Sequence, residues 1–312
     1  MESGFDITPS GMTGYLAPFG FDAELRAELG TPAAVHDRLM LAEGPARPDV
    51  YWTQNTWFDP VFIKAESIGQ LAAGLRSLQR NWALFPTAHH RRAALIAEKL
   101  PHVSAKPLTF PNPAPKAPLG SWTLLEPNLV LAAAHCASPF PNGEASFVED
   151  HVNPPARAYL KLWEAFTLMG RMPHAGQRCL DLGACPGSWT WVLQGLGANV
   201  IAIDKSPLVP RIMALPGIEF RAGSAFAGKP QDIGPVDWLF SDVICYPARL
   251  LRVVREWMDS GLCKNFVCTL KFQAETDFET TRAFAAIPGS TILHLSVNRH
   301  ELTWINLHQD TP

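Results

Sequence analysis

No two of the six cysteines (Cys136, Cys179, Cys185, Cys245, Cys263 and Cys268) stand in a C-x-x-C pair. That absence argues against a zinc knuckle or a dithiol redox motif. Several lie inside apolar runs, where a free thiol acts as a small core side chain, and a reducing cytoplasm is the expected setting. No apolar run approaches the roughly 18 residues of a membrane span; the longest, Leu129 to Ala134, is strand-sized. The N-terminus lacks a basic start followed by an apolar core, so neither a secretory signal nor a membrane partner is expected. There is no internal repeat. Charge is sparse, at 18% of residues with a net of −3, which leans mildly against a nucleic-acid partner.

What is present softens that last exclusion. Residues 1–60 carry three basic and nine acidic side chains, whereas residues 61–120 carry eight basic against Glu66 and Glu98. A basic segment can follow phosphates even in an acidic chain, and a solvated face gives the same pattern. Trp52, Trp57, Trp82, His89 and His90 are candidates for stacking on unpaired bases, against the commoner use of such residues as core. His89-His90-Arg91-Arg92 is the most attractive contact patch.

Prolines 107, 111, 113, 115 and 118 make Ser104 to Gly120 extended rather than helical. A second irregular stretch runs from Ser138 to Pro155. The expected division is 1–150, a smaller mixed α/β domain with an RNA-binding or accessory role, and 151–312. In the first part, Ala23–Leu29, Ser67–Trp82 and Ala88–Leu100 read as helices and Trp122–Ala134 as strand. The second part alternates strand and helix, which predicts a parallel sheet covered on both faces. Strands are expected at Arg178–Leu182, Asn199–Ile203, Ile218–Arg221, Asp237–Ser241, Phe266–Leu270, Thr291–Ser296 and Leu302–Leu307. Helices are expected at Arg157–Met169, Trp189–Leu196, Ala248–Ser260 and Glu275–Ile287. Only Val297–Glu301 separates the last two strands, too little for a helical crossover, so that pair is expected to be antiparallel.

The segment Cys179-Leu-Asp-Leu-Gly-Ala-Cys-Pro-Gly-Ser-Trp189 joins a buried strand to a helix through a glycine loop. In a doubly wound sheet a nucleotide cofactor sits at this crossing. Gly183 and Gly187 allow close backbone approach, and Pro186 stiffens the turn. The loop departs from G-x-G-x-x-G, and Asp181 beside it would repel a pyrophosphate but suits a ligand with an ammonium group. The amino-acid half of S-adenosylmethionine is such a ligand. Asp204, ending the second strand, can accept both ribose hydroxyls of an adenosine. The candidate cofactor contacts are Asp181, Gly183, Cys185, Pro186, Gly187, Ser188, Trp189, Asp204, Ser224 and Asp242, and no metal is expected.

Asp242 ends the fourth strand, Lys271 the fifth, Glu301 opens the last, and Lys161 sits on the helix before the sheet. A charge directly after an apolar strand core is costly unless paired, and Asp242 and Lys271 offer each other a partner. The pattern Lys161–Asp242–Lys271–Glu301 resembles the K-D-K-E tetrad of the FtsJ-like ribose 2′-O-methyltransferases. The loop Asp-Leu-Gly-Ala-Cys-Pro-Gly-Ser-Trp-Thr, the segment Ala-Tyr-Leu-Lys-Leu-Trp-Glu-Ala-Phe and the ending Asn-Arg-His-Glu-Leu-Thr resemble the RlmM family within them. Over residues 150–312 the resemblance implies a Rossmann-like class I methyltransferase fold with an antiparallel last strand. It also implies methylation of a cytidine ribose in 23S ribosomal RNA, free or in a large-subunit precursor. Ser188 stands where that family has a second glycine, Ser224 where it often has an acid, and Ala156 or Ala158 replaces a serine before the lysine motif. The N-terminal part is shorter than that family's RNA-binding region.

In the mechanism this implies, Lys271 is the base that takes the ribose proton, Asp242 orients it, and Lys161 and Glu301 position the ribose. An ordinary lysine, titrating near about 10.4, is charged, and burial and the like charge of Lys161 are expected to oppose that. Three other readings compete. An RNA cytosine-C5 methyltransferase would use Cys245 in Asp242-Val-Ile-Cys245 and Cys268, with no basic residue adjacent to Cys245 to lower its pKa. A nicotinamide-dependent oxidoreductase is disfavoured by the missing third glycine and by Asp181. A non-catalytic RNA-binding protein retaining the fold has no evident use for the four charged residues.

Overall fold

A computed structural model describes residues 4–308. The chain divides into two compact units. One runs to Thr109 and continues over Pro113–Phe147; the other comprises Phe110–Asn112 and the chain from Val148. Among the described residues no helix is long and apolar enough to cross a membrane.

The first unit contains β1 (Asp6–Pro9), β2 (Met12–Leu16), α1 (Asp22–Leu29), β3 (Ala34–His36), β4 (Leu39–Glu43), β5 (Asn55–Phe58) and β6 (Val61–Lys64). It continues through α2 (Ile68–Leu78), β7 (Trp82–Leu84), α3 (His90–Ala97), β8 (Gly120–Glu126), β9 (Leu129–Ala133) and β10 (His135–Cys136). The strands form two five-stranded sheets, ordered β1-β6-β9-β8-β7 and β10-β5-β2-β4-β3. Helix α2 starts on a capping box in which Ser67 and Gln70 satisfy each other's backbone amides. Its apolar side, Leu71 and Leu75, packs with Ile63, Trp82 and Trp122.

Three expectations are corrected here. Trp122–Ala134 is two strands, because Pro127 and Asn128 close a two-residue turn between β8 and β9, which pair antiparallel. The helix read through to Trp82 ends at Leu78, and Trp82 opens β7. Trp52, Trp57 and Trp82 are buried, so they are core rather than base-stacking surfaces, while His89 and His90 are exposed.

The second unit contains α4 (Tyr159–Met169), β11 (Arg178–Leu182), α5 (Ser188–Gly195), β12 (Asn199–Asp204), α6 (Pro210–Met213), β13 (Ile218–Ala222) and α7 (Pro230–Ile233). It ends with β14 (Val236–Ser241), α8 (Pro247–Ser260), β15 (Cys263–Lys271), α9 (Phe278–Ala285), β16 (Ser290–Leu293) and β17 (Glu301–Leu307). Its sheet runs β13-β12-β11-β14-β15-β17-β16, parallel from β13 to β15. Strand β17 is antiparallel to both β15 and β16. Valine, isoleucine, leucine and phenylalanine fill the central strands because helices cover both faces and leave no wet side. The excursion 110–112 is anchored by Phe110, whose ring stacks on Trp163 at 5.0 Å.

Candidate active site

Parallel strands end at one sheet edge, so the residues that follow them meet there. The edge holds a cleft of 320 Å³ lined by Asp181, Gly183, Cys185, Pro186, Ser188, Trp189, Asp204, Asp242 and Lys271, with Ala158, Ala184, Val243 and Ile244.

Its floor is the loop after β11. Gly183 has φ 77°, and a Cβ there would lie 2.6 Å from Cβ and 2.9 Å from Cα of Val243. The residue is glycine because the loop after β14 crosses directly over it. Gly187, expected as a ligand contact, has φ 110°, and a Cβ there would lie 3.0 Å from the Ile212 side chain of α6, so close packing also requires a glycine here. Ser188 Oγ donates to the Ala156 carbonyl at 3.0 Å and Trp189 Nε1 to the Ala158 carbonyl at 2.9 Å. These bonds tie the start of α5 to the segment leading into α4. Asp204 accepts from the amides of Cys185 at 3.0 Å and Ser206 at 2.9 Å, which fixes its carboxylate at the rim. Ser224, expected as a cofactor contact, accepts from the Phe226 amide at 3.3 Å and is not among the residues lining the cleft.

Asp181 is buried on the cleft floor and accepts from Thr190 Oγ1 at 2.6 Å. Burial pushes its carboxyl up to about 7, against the opposing pull of that hydrogen bond. A cation placed in the cleft would restore the anion. The donor set is acidic, with Asp181, Asp204 and Asp242 against the single cation Lys271, and so suits a positively charged ligand rather than a pyrophosphate.

Lys161, Asp242, Lys271 and Glu301 come together at the open end. Lys161 Nζ lies 2.9 Å from Asp242 Oδ1 and 2.7 Å from Glu301 Oε1. Lys271 Nζ donates to the Asp242 carbonyl at 2.6 Å and lies 3.1 Å from the same Oδ1. The antiparallel register sets Glu301 directly opposite Lys271. The Lys161 side chain is only 8% exposed. Burial alone would lower its pKa, but Asp242 and Glu301 together outweigh burial and raise it, holding Lys161 as the ammonium.

One contributor escaped the sequence reading. Glu164, one turn after Lys161 on α4, accepts from Ser296 N at 2.9 and 3.0 Å and from Ser296 Oγ at 2.9 Å. Helix α4 thus grips both ends of the chain between β16 and Glu301. The K-x-x-E spacing, which places two side chains on one helix face, was the available signal.

The two cysteines of the cytosine-C5 reading are both buried. Burial pushes the Cys245 thiol up and outweighs Arg249 and Lys271, neither of them its neighbour in sequence. Cys268, wholly inside the sheet, is pushed well above the ordinary thiol range. Neither is poised as a thiolate nucleophile.

Residues 155–275 match the model of the FtsJ-like methyltransferases. A ribosomal RNA large subunit methyltransferase M of Halorhodospira halophila is 36% identical over 133 residues, covering 42% of this chain and 39% of that protein. One of Azoarcus sp. is 38% identical over 133 residues, covering 41% and 36%. The matched part thus spans about two fifths of the length of these curated relatives. A chain of the fibrillarin/Nop5p complex is 15% identical with a TM-score of 0.39, over 48% of this chain and 81% of that one.

Proposed function

We propose, with the likeness to FtsJ-like methyltransferases as premise, that this protein methylates a ribose 2′-hydroxyl of large-subunit ribosomal RNA using S-adenosylmethionine. A cytidine of 23S RNA is the candidate target and the cytoplasm the candidate setting. The observation that carries the reading is the ion-paired Lys161–Asp242–Lys271–Glu301 quartet, with Lys161 and Glu301 buried, beside an acidic cleft.

The cleft's donor set fits the cofactor. Asp181 on the floor suits an ammonium group and Asp204 at the rim suits a pair of ribose hydroxyls. When bound, S-adenosylmethionine supplies an electrophilic methyl group on a sulfonium. The chain's own residues handle the proton. Lys161, kept cationic, clamps the Asp242 carboxylate. Lys271 donates to the Asp242 carbonyl and stands in ion-pair contact with its Oδ1. Held that way, the Lys271 amine is placed to act as the base, taking the O2′ proton as the new O–C bond replaces the methyl group's bond to sulfur. Glu301 pairs with Lys161, which in turn holds Asp242, and this pair borders the position the ribose would take. The exposed His89, His90 and Arg91 are assigned to RNA capture; Arg92 is engaged by the carbonyls of Pro127 and Glu66.

Transfer of labelled methyl groups to ribosomal RNA, with mass spectrometry of the nucleosides, tests this. Lys271→Ala should lose at least about 100-fold in rate while calorimetry still detects cofactor binding. Near-normal transfer by that variant would overturn the role of Lys271. The double variant Cys245→Ser with Cys268→Ser should retain transfer; its inactivity, with C5-methylcytosine as the wild-type product, would favour the thiolate chemistry.

A further inference from the structure

The segment joining β14 to α8 alternates. Cys245 and Pro247 are buried, whereas Ile244 and Tyr246 are 75% and 66% exposed. Both ends are pinned. Asp242 is held by two lysines, and Val243 rests on Gly183. At the far end Tyr246 caps α8, whose Leu250, Leu251, Val254 and Trp257 are buried. The two side chains are therefore held in solvent by a fixed backbone. Ile244 also lines the cleft beside Asp242 and Lys271, so this apolar pair is continuous with the site.

We infer that Ile244 and Tyr246 form the platform on which the base of the target nucleotide stacks. The inference rests on the proposed ribose methylation and names what positions its substrate. A hydroxyl delivered to Lys271 brings its own base with it, because the glycosidic nitrogen is three bonds from O2′. That base must leave its neighbours in the strand, and it needs an apolar surface in exchange. An exposed phenol ring and a branched aliphatic chain offer that surface without requiring a particular base edge, since every base has a π-face. The platform thus fixes where the ribose stands and leaves identity to contacts elsewhere. Tyr246 does not line the cleft, so it positions RNA without touching the cofactor.

The test compares wild type with Tyr246→Ala, Tyr246→Phe and Ile244→Ser on protein-free large-subunit ribosomal RNA. Cofactor affinity is measured in parallel by calorimetry, and RNA affinity without cofactor by filter binding. Tyr246→Ala should raise KM and the RNA dissociation constant about tenfold, the range of one lost stacking contact. Its cofactor affinity should be unchanged. Tyr246→Phe should behave as wild type, because the ring rather than the hydroxyl carries the effect, and Ile244→Ser should raise KM in the same direction. KM and RNA affinity within twofold of wild type for Tyr246→Ala and Ile244→Ser, in an enzyme that still transfers methyl groups, would overturn the platform and leave the ribose reading standing. A change of oligomeric state in Tyr246→Ala with unaltered RNA affinity would overturn it in favour of a protein interface. A wild-type protein that binds this RNA with the Tyr246 dependence described, yet transfers no methyl group, would retain the platform and sink the ribose reading.

Discussion

Gly183 shows how much one hydrogen atom decides. The residue has φ 77°, and the loop carrying Asp242 passes where its Cβ would be. Gly183→Ala should destabilise the fold by about 1–3 kcal/mol and, by lifting Val243, weaken methyl transfer more than cofactor binding. Thermal denaturation beside calorimetry and a rate assay would separate these effects. A glycine in a strand-to-helix loop is legible in sequence as a need for conformational freedom. What it approaches is not legible, because Val243 is 60 positions away in the chain and arrives only through sheet pairing. For the same reason the packing of Gly187 against Ile212 and the turn bond of Ser224 were not legible in the sequence. Asp181 was legible as an acid beside the loop, but its burial was not. Asp181→Asn should weaken S-adenosylmethionine binding about tenfold, the cost of losing one charge-assisted bond, as calorimetry would show.

At the scale of elements, α4 does two tasks through side chains three apart. Lys161 holds Asp242 and Glu301, and Glu164 holds the Ser296 amide and hydroxyl. Burial raises the Glu164 carboxyl from 4.5 to about 7. The folded state therefore retains this proton more strongly than the unfolded chain does. The stabilisation it brings is complete below pH 4.5 and is lost as pH rises toward about 7. Glu164→Gln removes that dependence. Its stability relative to wild type should improve across this window by up to about 3 kcal/mol, a trend urea unfolding at several pH values would reveal or refute. The central strands of the second unit, β11, β12, β14, β15 and β17, were legible as largely buried apolar runs, and the edge strands β13 and β16, only partly buried, through the strand–helix alternation. The first unit was much less so. Its strands are mostly three to five residues long, too short for alternation to declare itself, and Pro127-Asn128 is a turn hidden inside one apolar-looking stretch. The short helices α6 and α7, four residues each, give no periodicity to read.

For the whole molecule, charge is partitioned. The chain is acidic overall, and its basic excess lies in residues 61–120. Arg91→Ala should therefore weaken RNA binding several-fold at low salt and reduce the slope of log affinity against log salt by about 1. An unchanged slope in filter-binding titrations would remove Arg91 from the RNA surface. The quartet over the cleft adds a consequence of its own. Its two lysines stand against two carboxylates, so a polyanion arriving there meets little net attraction. Attraction and chemistry are thereby assigned to different charges. Raising ionic strength should thin the encounters with RNA while leaving the turnover of those already docked nearly as fast as before.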